Sequence, residues 1–251
     1  MRIISVVNQK GGVGKTTTAH TTGAYFYSIG KKVLFIDLDP QGNLSYTLNS
    51  KKTDKTIYEV LTRTTPIEKT IQKTEIGDLI PSSLSLALID IHLSKEIGKE
   101  QRLKETLEPI AKDYDYIIMD TPPALGTLSV NSLTASTGAI ISAQADIYSL
   151  QGISQLYETI GAVKEYCNSD LIIYGILLTR FNGRSVLSRE VGETLDKTAK
   201  EINTRLFKTK IRENISLKEA QANKKDIFSY DNKSNGAKDY KEFIKELIEV
   251  M

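Results

Sequence analysis

The chain has one cysteine, Cys167, in 251 residues. A single thiol cannot close an internal disulfide, and it leaves no thiol pair for a metal or an iron–sulfur cluster. Nowhere is there an uninterrupted run of about 18 apolar residues, the length a bilayer-spanning helix needs, so Leu171 to Leu178 reads as a central strand. Internal repeats and low-complexity tracts are missing too, and no shift in composition marks a linker. The first apolar strand pattern opens at Ile3, which leaves no length ahead of it for a signal peptide or an N-terminal helix-turn-helix. These absences predict a single domain over residues 1–251 and a cytoplasmic protein.

What is present is ordinary in amount and informative in order. Hydrophobic runs recur at residues 3–7, 33–37, 116–119, 139–143 and 171–178, separated by stretches long enough for helices. Parallel strands need crossovers of that length. The expected fold class is therefore α/β: a mostly parallel twisted sheet flanked by helices on both faces, with ligands beyond the carboxyl ends of the strands. Residues 53–101 are less regular and read as short helices with a possible small strand around Leu79 and Ile80.

The segment Gln9-Lys10-Gly11-Gly12-Val13-Gly14-Lys15-Thr16-Thr17-Thr18 lies between the first strand, Ile3 to Val7, and a helical pattern from Thr17 to Ile29 that Gly30 stops. Glycines let backbone N–H groups close on an anion, and a helix N-terminus adds unpaired donors and the positive end of its dipole. In such a loop Lys15 supplies a point charge to the outer phosphates of a nucleotide, and the Thr16 hydroxyl is placed to ligate Mg²⁺. The strict P-loop pattern asks for glycine five positions before Gly14. Gln9 stands there, and a second lysine, Lys10, precedes the glycines instead.

This loop resembles the deviant Walker A motif of the ParA/MinD group of P-loop ATPases. Lys31 to Asn43, with Asp37 and Asp39, resembles the group's second strand and switch I; Tyr114 to Pro123, with Asp120, resembles its Walker B motif and switch II. The pattern from Leu177 to Arg184 extends the likeness over nearly the whole chain, which looks most like the Soj-like ParA proteins that partition chromosomes and plasmids. The resemblance implies a SIMIBI-type P-loop fold, ATP and Mg²⁺ as ligands, and an ATPase that is weak alone. It implies nucleotide contacts from Lys10, Gly11, Gly12, Val13, Gly14, Lys15, Thr16 and Thr17, with Asn182 either on the adenine or forming a turn. Lys10, Lys15, Asp39 and Asp120 would carry catalysis, and Thr16, Asp39 and Asp120 would surround the metal. In the resembling group the lysine at the position of Lys10 crosses a dimer interface to the partner's nucleotide. Asp120 would hold a water of the Mg²⁺ shell, Asp39 would orient the attacking water, and Asp37 would be structural or close to the metal. Two relatives of the group, nitrogenase iron protein and the iron–sulfur carrier ATPases, need cysteine ligands this chain lacks. Amide-forming synthetases of the same superfamily need a shaped small-molecule pocket that no residues here announce.

Net charge is only +2, but between Phe181 and Lys225 there are 11 Lys and Arg against 6 Asp and Glu, so basic charge gathers late in the chain. Arg184, Arg189, Lys197 and Lys200, with Arg205, Lys208 and Lys210, could neutralise duplex phosphates without reading bases; the alternative is a solvated face of mixed charge. By resemblance, Arg184 stands where Soj-like proteins carry a DNA-contacting arginine. The chain departs from the group at Arg212-Glu213-Asn214, where Pro-Arg-Asn is usual, and at Ser216, where an arginine is usual. Glu213 repels phosphate, so the expected patch shifts towards Lys218, Lys224 and Lys225. The resemblance further implies an ATP-dependent homodimer, non-specific double-stranded DNA, a ParB-like centromere-binding partner, and nucleoid association when ATP is bound. The rival reading is a MinD-like membrane or polar-positioning ATPase. Tyr240, Phe243, Ile244, Leu247, Ile248 and Met251 do recur at helical spacing. Yet residues 238–251 carry three lysines against four acids, a face anionic lipid would not favour, so this stripe is expected to pack on the sheet with no membrane contact.

Overall fold

The computed structural model describes residues Met1–Met251, apart from the side chain of Ile147. Seven strands, β1 (Arg2–Val7), β2 (Val33–Asp37), β3 (Gln72–Thr74), β4 (Gly77–Ile80), β5 (Tyr116–Asp120), β6 (Gly138–Gln144) and β7 (Ile172–Thr179), form one sheet. Their order is β3-β4-β2-β5-β1-β6-β7, parallel throughout except for β3 against β4. The run expected as a central strand is thus the edge strand β7, whose residues from Tyr174 onward stay buried because residues 205–211 bond its outer side at Ile176 and Leu178. The antiparallel β3 is absent from the sequence reading. Gln72, Lys73 and Thr74 are all polar, so this short edge strand has no apolar alternation to reveal it.

The inner strands are buried on both faces, and their side chains alternate between clusters on either side, with a third cluster of Ile141, Ile176 and Leu178 against the helices Ile147–Tyr166 and Val186–Glu201. Leu34, Ile36, Ile117 and Met119 meet Leu103 and Leu107 of the helix Arg102–Ala111. On the opposite face Ile4, Val6, Phe35 and Ile118 meet Phe26 of the helix Lys15–Ser28 and Phe243 of the helix Asn235–Val250. Gly23 sets how closely the first helix lies on the sheet, since a Cβ there would sit 2.2 Å from the Phe35 ring. In the last helix Tyr240, Phe243, Ile244 and Leu247 are buried, whereas Ile248 is 42% exposed, so the apolar stripe is narrower than its spacing predicts. The Tyr240 hydroxyl pairs with Thr18 Oγ1 at 3.0 Å, fixing this helix to the one behind the loop. Among the described residues no helix is long and apolar enough to cross a membrane.

Register brings the chemistry to one edge. Val6 is level with Asp120, and Asp120 with Asp37, so three adjacent strands deliver the loop and both acids side by side.

His20, on the loop-bearing helix, lies 6.3 Å from the Phe35 ring and is 3% exposed. Burial lowers its pKa to about 4 against the opposing pull of Asp226. The folded value lies below the unfolded one, so between about pH 6.5 and about pH 4 only the unfolded chain takes up the proton. The stability that depends on neutral His20 is intact above that window and is lost as pH falls through it, by about 1.4 kcal/mol per pH unit. Denaturant unfolding of the wild type and His20→Gln across this window should show the wild type's relative stability falling with that slope. Parallel curves would contradict the assignment.

Candidate functional site

Between β1 and the helix Lys15–Ser28 the backbone turns through Gly12 at φ 75 and Gly14 at φ 79, a conformation that residues with a Cβ rarely hold. The carbonyls of this turn are drawn away from its hollow. Ser142 Oγ and Thr179 Oγ1 both donate to the Val13 oxygen, at 2.5 and 2.8 Å, and Gln144 Nε2 donates to the Gly12 oxygen at 2.8 Å. Asn8 anchors the root of the loop: its Nδ2 donates to the Ser142 carbonyl at 2.7 Å and its Oδ1 accepts from Lys10 N at 2.9 Å. With these oxygens tied back, the N–H groups of the loop and of the first helical turn are left for an anion. Sequence reasoning missed Ser142, Gln144 and Thr179. Their signal is faint: polar residues near the ends of apolar strands, with Gln144 and Thr179 in register on β6 and β7.

Lys15 is buried, and its Nζ arches back to the Lys10 carbonyl at 3.0 Å. Burial lowers its pKa, while Asp120 and Asp39 pull it up. Thr16 Oγ1 donates to Asp120 Oδ2 at 2.6 Å. The other oxygen, Asp120 Oδ1, is buried with no hydrogen-bond partner among the described residues. Burial, and then the charge of Asp37, hold the Asp120 carboxyl well above the usual carboxylate range. A buried carboxylate with one orphan oxygen beside a hydroxyl is short of positive charge. A hard divalent cation such as Mg²⁺ fits that deficit. Mg²⁺ binds oxygen ligands and keeps several waters rather than demanding an all-protein cage.

β2 stops at Asp37, so Asp37 and Asp39 diverge. Asp37 is fully buried and accepts from Asp39 N at 3.1 Å and from Ser45 N and Oγ, each at 2.7 Å. Burial raises its pKa to about 6 in spite of those bonds. Ser45 Oγ also accepts from Ser82 N at 3.0 Å, so Asp37 clasps the short helix Asn43–Thr47 to the end of β4. Asp39 instead lines a 460 Å³ cleft with Lys15, Thr16 and Pro123, and its Oδ1 accepts from Gln41 N at 2.9 Å. A larger cavity, 710 Å³, lies elsewhere, beside His20 and Asp226, and none of the loop residues lines it.

Lys10 forms an ion pair with Asp146, which also caps the helix Ile147–Tyr166 by accepting from Ser149 N at 3.1 Å. Partial burial pushes the Asp146 carboxyl up, but the Lys10 hydrogen bond and charge outweigh it and hold the carboxyl below its usual range. Lys10 is therefore turned towards the start of the helix Ile147–Tyr166 and does not line the cleft that holds Lys15 and Asp39.

Asn182 does not reach the cleft. It is exposed, and its Oδ1 accepts from Arg184 N at 3.1 Å, so it shapes its own turn. A 170 Å³ slot beside the loop, lined by Gly12, Arg180, Ile211, Asn214 and Leu217, does not include Asn182. Arg184, Arg189 and Lys197 are exposed and form no ion pair among the described residues, while Lys200 pairs with Asp196 at 2.6 Å. Other late charges are already engaged. Arg212 grips Asp239 at 2.6 and 2.9 Å, and Glu213 bridges Arg180 at 3.0 Å and Lys218 at 3.3 Å. Glu213 thus neutralises Lys218, one of the residues expected to extend the basic patch.

Residues 1–173 match the family model described as an AAA domain. The sporulation initiation inhibitor protein Soj of Bacillus subtilis is 41% identical over 250 residues, 98% of either chain. The solved structure of cobyrinic acid a,c-diamide synthase from Mycobacterium smegmatis, with bound ATP analogue and magnesium, is 32% identical with a TM-score of 0.85, covering 99% of this chain and 94% of that one. A putative plasmid partition protein of Borrelia burgdorferi bound to AMPPNP is 28% identical with a TM-score of 0.84, covering 100% and 99%.

Asp120→Asn removes a buried charge with little change of shape. The nucleotide-free variant should melt no lower than the wild type and up to about 4 °C higher, while Mg²⁺ no longer tightens nucleotide binding in calorimetry with and without chelator. A lower melting point with the Mg²⁺ effect intact would make Asp120 a purely structural acid.

Proposed function

The chain belongs to the Soj/ParA family of partitioning ATPases, and we propose that it holds ATP and Mg²⁺ in the loop Lys10 to Thr17, pairs with a second copy across the nucleotide, and in that state binds non-specific double-stranded DNA. The observation that carries this reading is the Thr16–Asp120 pair, with its orphan buried oxygen, directly under a loop whose carbonyls are bound from behind. Thr16 and Asp120 would hold the metal, which neutralises charge on the phosphates during transfer. Lys15 leaves the Lys10 carbonyl for the outer phosphates, Asp39 orients the attacking water from its place in the cleft, and the slot at Ile211 and Leu217 takes the base.

Phosphoryl transfer asks a protein mainly for positioning and charge compensation. One subunit supplies a single buried ammonium, and Lys10 of the second copy supplies another in a drier cleft. Dimerisation and hydrolysis are thereby linked. Arg184, Arg189, Lys197 and Lys200 offer the exposed basic surface, and a ParB-like centromere-binding partner speeds hydrolysis and release. Such a cycle requires that DNA favour the dimer over the monomer, and it places the loaded protein on the nucleoid. The buried face of the last helix favours DNA over a membrane as the surface bound. Identity of 41% to Soj against 32% to the diamide synthase favours partitioning over amide synthesis.

The ATP-loaded protein should bind duplex DNA and lose that affinity as salt rises, with Arg184→Ala and Arg189→Ala each lowering the log–log salt slope by about 1. Turnover should be slow alone and rise when DNA and a ParB-like partner are added together. DNA affinity indifferent to nucleotide would contradict the reading, and ATP-dependent pelleting with anionic vesicles would favour the MinD-like rival.

A further inference from the structure

Lys224 and Asn49 both adopt φ 54, a left-handed conformation uncommon for residues with a Cβ. These two residues, 175 positions apart, touch: Lys224 Nζ donates to Asn49 Oδ1 at 2.7 Å and lies 4.9 Å from the centroid of the Tyr46 ring. Lys224 follows the helix Ile215–Ala222 in a closing turn, its N–H returning to Gln221 O at 3.0 Å and that of Lys225 to Ala220 O at 2.9 Å. Glycine is the ordinary residue at such a place. Asn49 closes the equivalent turn after the helix Asn43–Thr47, the segment that Asp37 clasps and whose Tyr46 lines the nucleotide cleft.

A second tie runs parallel to the first. Gln221 Nε2 donates to Thr17 Oγ1 at 3.1 Å, next to the candidate metal ligand Thr16. The helix Ile215–Ala222 thus touches the phosphate loop through Gln221, and the turn after it touches, through Lys224, residues 43–50, the switch segment that continues the stretch resembling switch I. No backbone hydrogen bond joins residues 43–50 to residues 220–226 among the described residues, so one side chain spans the gap. Lysine holds a left-handed φ less readily than glycine, and here its ammonium rests on both Asn49 and Tyr46, which singles out this contact.

We propose that Lys224 is a strap that couples the switch segment at Tyr46 and Asn49 to the basic C-terminal turn. While its ammonium rests on Tyr46 and Asn49, the two turns are ordered together. A nucleotide that draws Tyr46 into the cleft releases the lysine and adds a mobile cation beside Lys225 for a polyanion. The coupling is reciprocal: a phosphate chain that captures Lys224 loosens the switch segment. The release step rests on nucleotide occupying the cleft as proposed above, whereas the strap in the nucleotide-free protein does not.

Hydrogen–deuterium exchange with mass spectrometry on the full chain separates the two. Without nucleotide, Lys224→Gly should speed exchange over residues 43–50 by about threefold to tenfold, leaving β1 unchanged, and Tyr46→Ala should do the same over residues 220–226. Glycine suits φ 54, so the variant keeps its fold, and an unchanged melting temperature verifies this. In the wild type, an ATP analogue with Mg²⁺ should protect the loop and speed exchange at 223–226, a response absent from Lys224→Gly. Unaltered exchange at 43–50 in nucleotide-free Lys224→Gly overturns the strap. A protected loop with no response at 223–226 overturns the release. An unprotected loop would count against the ATP reading alone, since the nucleotide-free arm still decides the strap.

Discussion

A shortage of positive charge at the carboxyl edge of the sheet is the constraint from which the rest follows. Asp37, Asp39 and Asp120 are all buried there with one buried ammonium, Lys15, and the proposed function sets a polyanion beside them. The mismatch is visible in the groups themselves: Asp37 and Asp120 are pushed towards their neutral forms, and one oxygen of Asp120 has no partner. Such a site is completed by cations from outside the subunit. In the proposed function a divalent ion would answer the deficit beside Thr16, and a lysine from a second copy would answer the charge of the outermost phosphate.

The scaffold makes this deficit without leaving the loop unsupported. Strand register sets Val6, Asp120 and Asp37 level, and side chains from β6 and β7 hold the loop carbonyls from behind. Strength is thus placed under the loop, while the groups in front of it are left to be satisfied by ligand. Asp37, bound on three sides, fixes the start of the switch segment; Asp39, two residues later, stays in the cleft. Lys10 is held by Asp146 in an ion pair about one-third exposed on each side, and a partly solvated pair of this kind opens at little cost.

Much of this was legible in the residues. Glycines at left-handed positions followed by Lys15 and Thr16, between an apolar strand and a helix, have few uses other than an anion site, and strands buried on both faces leave continuous apolar runs. What escaped did so for physical reasons. The supports of the loop come from Ser142 and Thr179, distant in sequence, and a serine or threonine in a strand looks the same whether it holds a carbonyl or merely fills space. Asn182 follows a strand, where a turn-forming asparagine and a base-contacting one are spelled alike, so both readings stood open and the structure shows the turn. Counting charges overstated the free basic surface, because Arg212 is engaged by Asp239 and Lys218 by Glu213.

The central claim is that Lys10 leaves Asp146 to complete the charge around a neighbour's nucleotide. Light scattering coupled to size exclusion, with Mg²⁺ and a slowly hydrolysed ATP analogue, tests it most directly. The account predicts a dimer for the wild type, a monomer for Lys10→Ala that still binds nucleotide, and dimerisation at lower concentration for Asp146→Asn, in which the competing carboxylate is gone. A wild type that stays monomeric with nucleotide bound, or a Lys10→Ala variant that dimerises as well as the wild type, would contradict it.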